Sequence, residues 1–571
     1  MTADLLRTWE KALLRLVHLP VRWPVTLLLA LVTIALSLLG HYNFQSIDRW
    51  PGPLDWLLST INLFKMSWHW PTGVSVPWPL QLARFTGAFF TLSALGKVWM
   101  KFFGEQMTQL RLSRWNGHVV ICGLGRKGQE LAQEFRRRGK RVVIVDVAPD
   151  EDEARALRRS GILLETGDAS KEATLEAVGV ERARFFFSAC RDDHTNLEAG
   201  MLTLARFAAS REKGPLSCYV HLVNLPLRVM LQRHELLKTQ PSGFELRFFN
   251  IYESTARALL AAFPLEDRLT RPEERVHLII VGLTRLGEAV ATQAARIGHY
   301  RDLRPIRVTV VDENAEMRGE EFVMRQPGIV DACELQFLAL RPTETRFARL
   351  EFLDGARAER PTVVLCLEPD ERNVSLALTL AEQTGGKIPL LANVSERLGL
   401  AKLLAASAGE LEQKGIHVFG AIKEVCSWEM LRESELDHLA KSFANFYSIR
   451  YGGPEWEDLS EDLRNSNRAA ADHIDIKLRA IGCHRVAGAP ESFVFSQTEV
   501  ELLASMEHER WSADRRLNGW LAGSTTDRTQ KIHQDFLPWE QLSEATRDKD
   551  REQVADLPAV LAEVGQIIQR L

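Results

Sequence analysis

The sequence is poor in the features that announce a metalloprotein or a nucleic-acid binder. Its seven cysteines, Cys122, Cys190, Cys218, Cys333, Cys366, Cys426 and Cys483, are scattered, with no CxxC pair and no cysteine–histidine cluster. Thiolate zinc sites need ligands at short, paired spacings, so no metal ligand is assigned. The thiols read as reduced and mostly buried, as in a cytosolic compartment. An excess of one charge sign is also missing: the formal net charge is −4. This argues against a globally basic, nucleic-acid-binding face, and no nucleic-acid partner is expected. Residues 23–47 lack charge altogether. The rest is ordinary globular composition, 46% hydrophobic and 26% charged. The 571 residues suffice for roughly three or four domains.

The uncharged run reads as a membrane helix. Its centre, residues 25–39, is almost continuous Leu, Ala, Val and Ile, and about 20 such residues cross the hydrocarbon layer. A signal peptide fits poorly: the apolar core is too long, a long segment precedes it, and no clear cleavage site follows. Residues 85–103 form a second candidate, with Lys97 and Lys101 placed to snorkel toward the interface. Arg7, Lys11, Arg15 and Arg22 precede the first run, and Lys97, Lys101, Arg111 and Arg114 flank the end of the second. By the positive-inside rule both termini and the soluble domains are expected on the cytoplasmic side of the inner (plasma) membrane, in a two-pass protein.

The intervening loop holds Trp50, Trp56, Trp68, Trp70 and Trp78, a residue type that favours the headgroup region. Residues 53–64 suit a short re-entrant helix. Helix, short helix, helix resembles the topology of two-helix tetrameric cation channels. The segment that follows, starting Lys65-MSWHWPTGVSVPWP, has no TVGYG-like carbonyl filter, so the resemblance is topological only. Two readings of residues 1–112 stay open: a pore passing monovalent cations, and an anchor with an amphipathic external hairpin.

Residues 116–270 open with a buried-strand pattern, His118-VVIC, followed by Gly123, Gly125 and Gly128 at GxGxxG spacing. A helical stretch runs to Gly139, and a second strand, Arg141-VVIV, closes on Asp146. Gly123 allows the tight turn, Gly125 lets backbone approach a pyrophosphate, and Gly128 lets the helix pack on the sheet. The helix N-terminus favours phosphate charge and Asp146 suits ribose hydroxyls. Arg126, at the start of that helix, joins this candidate set.

The continuation carries Gly167, Asp168, Ala169 and Ser170, then a helix, then Ser188, Ala189, Asp192, Asp193 and Asn196. This pattern resembles the RCK family, the regulators of potassium conductance and transport. The resemblance implies a Rossmann-like domain that binds NAD(H), ATP, ADP or cyclic dinucleotides. It implies Asp168 and Ala169 near adenine or ribose, Ser188 and Ala189 lining the cleft, and Asn196 within the site. Asp146 favours an unphosphorylated ribose, so NAD(H) or an adenine nucleotide is the expected ligand. A Rossmann-type domain that no longer binds ligand is the alternative.

Residues 274–433 repeat the pattern in altered form. Gly282, Thr284 and Gly287 take the glycine positions, and the next strand ends at Asp312. Thr284 puts a side chain where a pyrophosphate would approach, and Leu340-Arg341 stands in place of the Gly-Asp step. This second, degenerate site is expected to bind differently or not at all and to serve assembly. Pro361-TVVLCLEPDERN parallels Arg184-FFFSACRDDHTN, with Asn373 matching Asn196.

Residues 434–571 turn to helices rich in aromatics and charge. Glu507-HERW, Gly519-Trp520 and Lys531-x-His533 through Pro538-Trp539 and Leu542 resemble the bacterial RyR domain, named after the ryanodine-receptor repeat. His508, Trp511 and Arg515 share a helix face. With Arg510, Trp520, Lys531 and Trp539 they form a candidate ligand site, since Arg and Trp suit a phosphate and a stacked base. The plainer alternative makes His508, Trp511 and Trp520 core residues and pairs Arg510 with an acid.

The expected fold class is therefore α/β: a two-helix transmembrane module, tandem Rossmann-like RCK domains with parallel sheets, and a mostly helical RyR-like domain. The expected function is a nucleotide-regulated, ligand-gated channel or channel-like protein. Two helices cannot enclose a pore, so self-association is required, with four copies the natural number. The alternative is a non-conducting, membrane-anchored nucleotide sensor or stress or defence effector. A membrane-tethered oxidoreductase lacks a substrate domain with a proton donor, and no catalytic residue is assigned.

Overall fold

The computed structural model describes residues 23–42, 52–67, 75–210, 214–224, 227–228, 230–231, 240–269, 271, 274–353, 359–394, 408–420, 435–489 and 492–571. Arg7, Lys11, Arg15, Arg22, Ile47, Trp50, Trp68, Trp70 and Cys426, and the side chains of Lys97 and Lys101, lie outside the described residues. The chain divides into two compact units, Met1–Arg114 and Trp115–Leu571.

Among its described residues the first unit holds three helices: α1 (Trp23–Tyr42), α2 (Pro53–Phe64) and α3 (Trp78–Leu112). The expected short helix at 53–64 is present with those bounds. The run at 85–103 is only part of a 35-residue helix. Apolarity marks what a helix faces, while its ends depend on caps and breakers. Small and hydroxyl-bearing residues fill the interior. The Thr33 and Thr86 hydroxyls lie 2.9 Å apart, those of Ser37 and Thr60 2.8 Å apart, and Thr91 donates to the Phe64 carbonyl at 2.6 Å. A Cβ on Gly40 would sit 2.4 Å from Leu80 Cγ, so α1 and α3 approach closely there. Leu63 and Leu80 are buried beside them, while other large apolar side chains point outward: Leu28 and Leu31 are 58% exposed and Phe85 76%. Among the described residues, no helix is long and apolar enough to cross a membrane.

The second unit begins with six parallel strands: β1 (Val119–Cys122), β2 (Val142–Asp146), β3 (Leu163–Thr166), β4 (Phe185–Ser188), β5 (Leu216–His221) and β6 (Phe244–Phe249). Their order is β3-β2-β1-β4-β5-β6. Ile121 is in register with Ile144 on one side and Phe187 on the other. Strands β1, β2 and β4 are buried along almost their whole length, which explains their apolar runs, whereas the edge strands β3 and β6 are partly exposed and carry charged residues. Helices α4 (Arg126–Arg137), α5 (Asp193–Ala209) and α6 (Ile251–Ala262) belong to this copy. Phe135 from α4 packs on Phe187 with ring centres 5.3 Å apart, and Phe187 stacks on Tyr219 at 4.8 Å.

The second copy repeats the sheet with β7 (Arg275–Val281), β8 (Arg307–Asp312), β9 (Glu334–Ala339), β10 (Glu359–Leu365), β11 (Leu390–Asn393) and β12 (Ile416–Phe419). Its order, β12-β11-β10-β7-β8-β9, is the first order read from the other edge. The internal duplication therefore extends to all six strands. Helices α7 (Arg285–Ile297) and α8 (Asp370–Thr384) occupy the places of α4 and α5.

The C-terminal region contains α9 (Glu435–Tyr451), α10 (Glu461–Asp472), α11 (Ile474–Ala480), α12 (Gln497–Leu517), α13 (Glu544–Ala555) and α14 (Leu557–Glu563). Residues 456–482 do not form one helix: α10 ends at Asp472 and α11 starts at Ile474. Two small sheets are added. One pairs β13 (Cys483–Ala487) with the C-terminal strand Gln566–Arg570, and the other pairs Leu521–Ala522 with Ile532–His533. This region shares one core with the second copy: Leu278, Ile280 and Val290 belong to the same cluster as Ala440, Leu503 and Met506. Arg296 reaches Asp514 at 3.1 Å. A Cβ on Gly328 would lie 1.9 Å from the Arg516 carbonyl oxygen, so only glycine lets that loop meet the end of α12.

Candidate functional site

In a doubly wound sheet the strand order reverses between the first and fourth strands, and the helices on either side part to leave a crevice at the strands' carboxyl ends. At that point of the first copy lies a cavity of about 780 Å³. It is lined by Gly123, Gly125, Arg126, Asp146, Asp168, Ala169 and Ala189 from the expected set.

The three glycines divide the work. Gly123 has φ +99°, and a Cβ there would sit 3.0 Å from the Ala189 carbonyl oxygen. Gly128 packs so closely that a Cβ would fall 1.9 Å from the Gly123 carbonyl oxygen, which is why it does not itself face the cavity. Gly125 precedes α4 with extended backbone and offers no side-chain cap, and its Cβ direction is open space. No side chain caps the first turn of α4, where the backbone amides of a helix suit a phosphate.

Asp146 is fixed by two backbone donors, Leu124 N–H at 2.7 Å and Ala148 N–H at 3.0 Å. Asp168 accepts from the Ser170 hydroxyl at 2.7 Å and amide at 2.9 Å, and these bonds hold its carboxyl below the usual range. The Thr195 amide does the same for Asp192. Burial pushes the Cys190 thiol up to about 11, so it stays protonated and is no nucleophile at neutral pH.

Two expected residues lie elsewhere. Ser188 and Asn196 are wholly buried, beneath the floor and not on it. The Ser188 hydroxyl donates to Asn196 Oδ1 at 2.8 Å. The same oxygen accepts from the Cys190 amide at 2.7 Å, while Asn196 Nδ2 donates to the Cys190 carbonyl at 3.2 Å. Asn196 therefore shapes the loop that follows β4. Asn373 makes the matching pair of bonds with Leu367, at 2.8 and 2.9 Å.

In the second copy the phosphate position at the helix N-terminus is taken by the protein's own atoms. Thr284 Oγ1 accepts from the Gly287 amide at 3.4 Å and donates to the Cys366 carbonyl at 2.9 Å, capping α7 where a phosphate would bind. Gly282 keeps the turn at φ +97°, and Gly287 keeps the close helix approach, with a Cβ 2.3 Å from the Gly282 oxygen. Asp312 accepts from Leu283 and Asn314 amides and is held by Arg318 at 3.0 Å.

This second mouth faces the first. Thr284, Leu286, Cys366, Glu368, Asp370, Asn393 and Gly420 line the same cavity as Gly125 and Asp168, and Arg126 meets Asp370 at 3.4 Å. Sequence reasoning missed this wall, along with Tyr252 from α6. The one available signal was the duplication itself, which aligns Asp370 with Asp193 beside the first mouth.

The candidate residues of the C-terminal region separate into two groups. Trp511 lies 4.9 Å from the His533 ring and 5.5 Å from Phe536. Arg515 spans the Trp511 and Trp520 rings at 5.9 and 5.3 Å, and His508 stacks on Trp511 at 5.8 Å. The His508 Nε2–H donates to the Leu537 carbonyl at 2.9 Å. Arg510 points the other way, into the interior, where Glu507 holds it at 2.7 Å and also binds Lys477 at 2.6 Å. The pairing of Arg510 with an acid is thus the arrangement found. Burial alone would raise the Glu507 carboxyl, but the two cations outweigh it and hold it low. Lys531 Nζ donates to the Asn518 carbonyl at 2.7 Å, and Trp539 Nε1 to Glu501 at 3.0 Å; both are tied into local structure.

Residues 119–211 match the TrkA-N domain family and residues 496–570 the RyR domain family. An uncharacterized protein of Methanothermus fervidus is 34% identical over 119 residues, 20% of this chain and 18% of that protein. The glutathione-regulated potassium-efflux system protein KefC of Salmonella paratyphi B is 33% identical over 104 residues, 18% of this chain and 16% of that protein. The chain therefore spans under a fifth of the length of these relatives. Among solved structures, GsuK bound to ADP is 16% identical, covering 71% of this chain and 96% of its own, with a TM-score of 0.39. The GsuK channel bound to NAD is 13% identical, covering 84% and 89%, with a TM-score of 0.38. Two stretches of the chain are thus similar to known domain families, 119–211 to TrkA-N and 496–570 to RyR.

Proposed function

We propose that this chain is a nucleotide-regulated, oligomeric membrane protein, a ligand-gated channel or channel-like protein of the inner membrane. In this reading NAD(H) or an adenine nucleotide binds the first copy's crevice and shifts a cytoplasmic assembly between two states. The observation that carries it is the open cavity at the first copy's switch point, with Gly125 bare, α4 uncapped and Asp146 fixed by backbone. The name of the KefC relative, a potassium-efflux system protein, supports potassium transport as the setting. The reading carries no catalytic role.

The first unit supports a lipid setting for α1 and α3. Thr33, Ser37 and Thr60 face inward while Leu28, Leu31 and Phe85 face outward, as in helices that pack through small residues in a bilayer. A second reading, a non-conducting anchored sensor or stress effector, is favoured by the missing filter sequence after Phe64. A ligand acts in either case only by binding the two states unequally.

The deciding experiment is ion flux from proteoliposomes loaded with potassium or sodium, with NAD+, NADH, ADP and ATP added to the cytoplasmic face. Ligand-dependent flux supports the channel. Binding without flux under any of these ligands supports the sensor, and a protein that remains monomeric in mild detergent sinks the channel.

A further inference from the structure

The cavity belongs to both copies, and its charge is unusual for a phosphate site. Its wall holds three cationic side chains, Arg126, Lys127 and Arg191, against five carboxylates, Asp146, Asp168, Asp192, Glu368 and Asp370. Two of the five come from the second copy. We propose that Asp370 of the second copy sets which nucleotides the first copy's crevice accepts, by competing with ligand phosphate for Arg126. This rests on the reading that the crevice binds a nucleotide.

Arg126 is the first residue of α4, beside Gly125, at the spot where a pyrophosphate reaches the helix amides. Its guanidinium lies 3.4 Å from Asp370, with the arginine side chain 49% exposed and the aspartate 9% exposed. A half-exposed ion pair is weak because water screens it, whereas a guanidinium matches two phosphate oxygens at once. Arriving phosphate can therefore take Arg126 from its partner. Asp370 cannot follow, being the buried first residue of α8, where the helix dipole favours its negative charge. Once Arg126 turns to the ligand, Asp370 and Glu368 face whatever lies beyond the second phosphate.

A terminal γ-phosphate would bring more negative charge against those carboxylates. A dinucleotide ends instead in a sugar, whose hydroxyls donate to carboxylates, and a neutral or cationic ring. The site is thereby assigned to dinucleotides with a plain diphosphate bridge, over nucleoside triphosphates, and the discrimination to Asp370.

The test is calorimetric titration of the full-length protein with NAD+, ADP and ATP, in wild type, D370N, R126Q and the double variant. Wild type should bind NAD+ more tightly than ATP. D370N should improve ATP binding about tenfold and NAD+ binding less than about threefold, as for a coupling of ordinary size. In the R126Q background the small D370N gain for NAD+ should vanish, since no arginine is left to compete for, while the gain for ATP should persist, since the carboxylate repels the γ-phosphate directly. R126Q, at a half-exposed side chain, should itself weaken all three ligands about tenfold, and serves if D370N does not fold. Equal shifts for every ligand in D370N, unchanged binding in R126Q, or wild type preferring ATP would overturn the inference and leave the nucleotide site standing. No binding of any nucleotide by folded wild type would overturn both.

Discussion

The Thr284 hydroxyl donates to the Cys366 carbonyl at 2.9 Å, closing the second sheet's switch point with the protein's own atoms. At the matching point of the first copy Gly125 leaves the crevice open. The duplicated fold thus presents one mouth that can receive a ligand and one that has become a wall.

Substituting Gly125 by valine should abolish nucleotide binding and spare the fold. The backbone there is extended, at φ −60°, so a side chain strains nothing, yet it would occupy the pyrophosphate's approach. Titration should show no heat while the melting temperature stays near wild type. Retained binding would move the site away from this crevice.

Thr284→Gly should not create a second nucleotide site, because Arg318 still holds Asp312 at 3.0 Å. Binding stoichiometry should remain one nucleotide per chain. Thr284→Ala should destabilise the protein by about 1 kcal/mol through loss of the α7 cap, measurable by denaturant titration. A doubled stoichiometry in the glycine variant would show that the threonine alone closed the mouth.

Glu507→Gln should be among the costliest conservative changes in the chain. Lys477 and Arg510 are both fully buried on this one carboxylate, and removing it strands their charge. The expected loss is about 3–5 kcal/mol, read from chemical denaturation. A loss below about 1 kcal/mol, the scale of exposed pairs, would mean that water reaches the cluster.

Stability should fall as pH drops from 6.5 toward 4. Burial pushes His221 down to about 3 and His299 down to about 4, while in the unfolded chain both take up protons near pH 6.5. The neutral folded forms are therefore fully favoured above pH 6.5, and that advantage is lost as pH falls toward the folded values. Each group contributes up to about 1.4 kcal/mol per pH unit across that window. His299→Gln removes one titration, so its stability-versus-pH curve should be flatter between 6.5 and 5. An unchanged slope would remove His299 from the account.

Much of the architecture was written locally. The glycine spacing, the strand closing on Asp146 and the echo of Asn196 in Asn373 all express backbone needs within a few residues of each other, and the structure places them accordingly. What escaped is what only tertiary packing decides. Nothing in the first copy's sequence says that Glu368 and Asp370 will face it. Ser188 is expected to line the cleft and Asn196 to lie within the site, but the loop after β4 needs its amide and carbonyl satisfied from below, and Asn196, held by Ser188, supplies that. Arg510 was ambiguous for a similar reason. Its helix neighbour Glu507 was visible at i, i+3 spacing, but Lys477, thirty positions earlier in the chain, was not.

The core running from Leu278 and Ile280 to Leu503 and Met506 has a thermodynamic consequence. Regions that share one interior melt together, so the second copy and the RyR region should behave as a single cooperative folding unit. A molecule that binds the folded form anywhere on that unit stabilises all of it by mass action. The aromatic cluster around Trp511 and the carboxylates beside Arg126 are then joined through one folding equilibrium, and occupancy at one is felt at the other as resistance to unfolding.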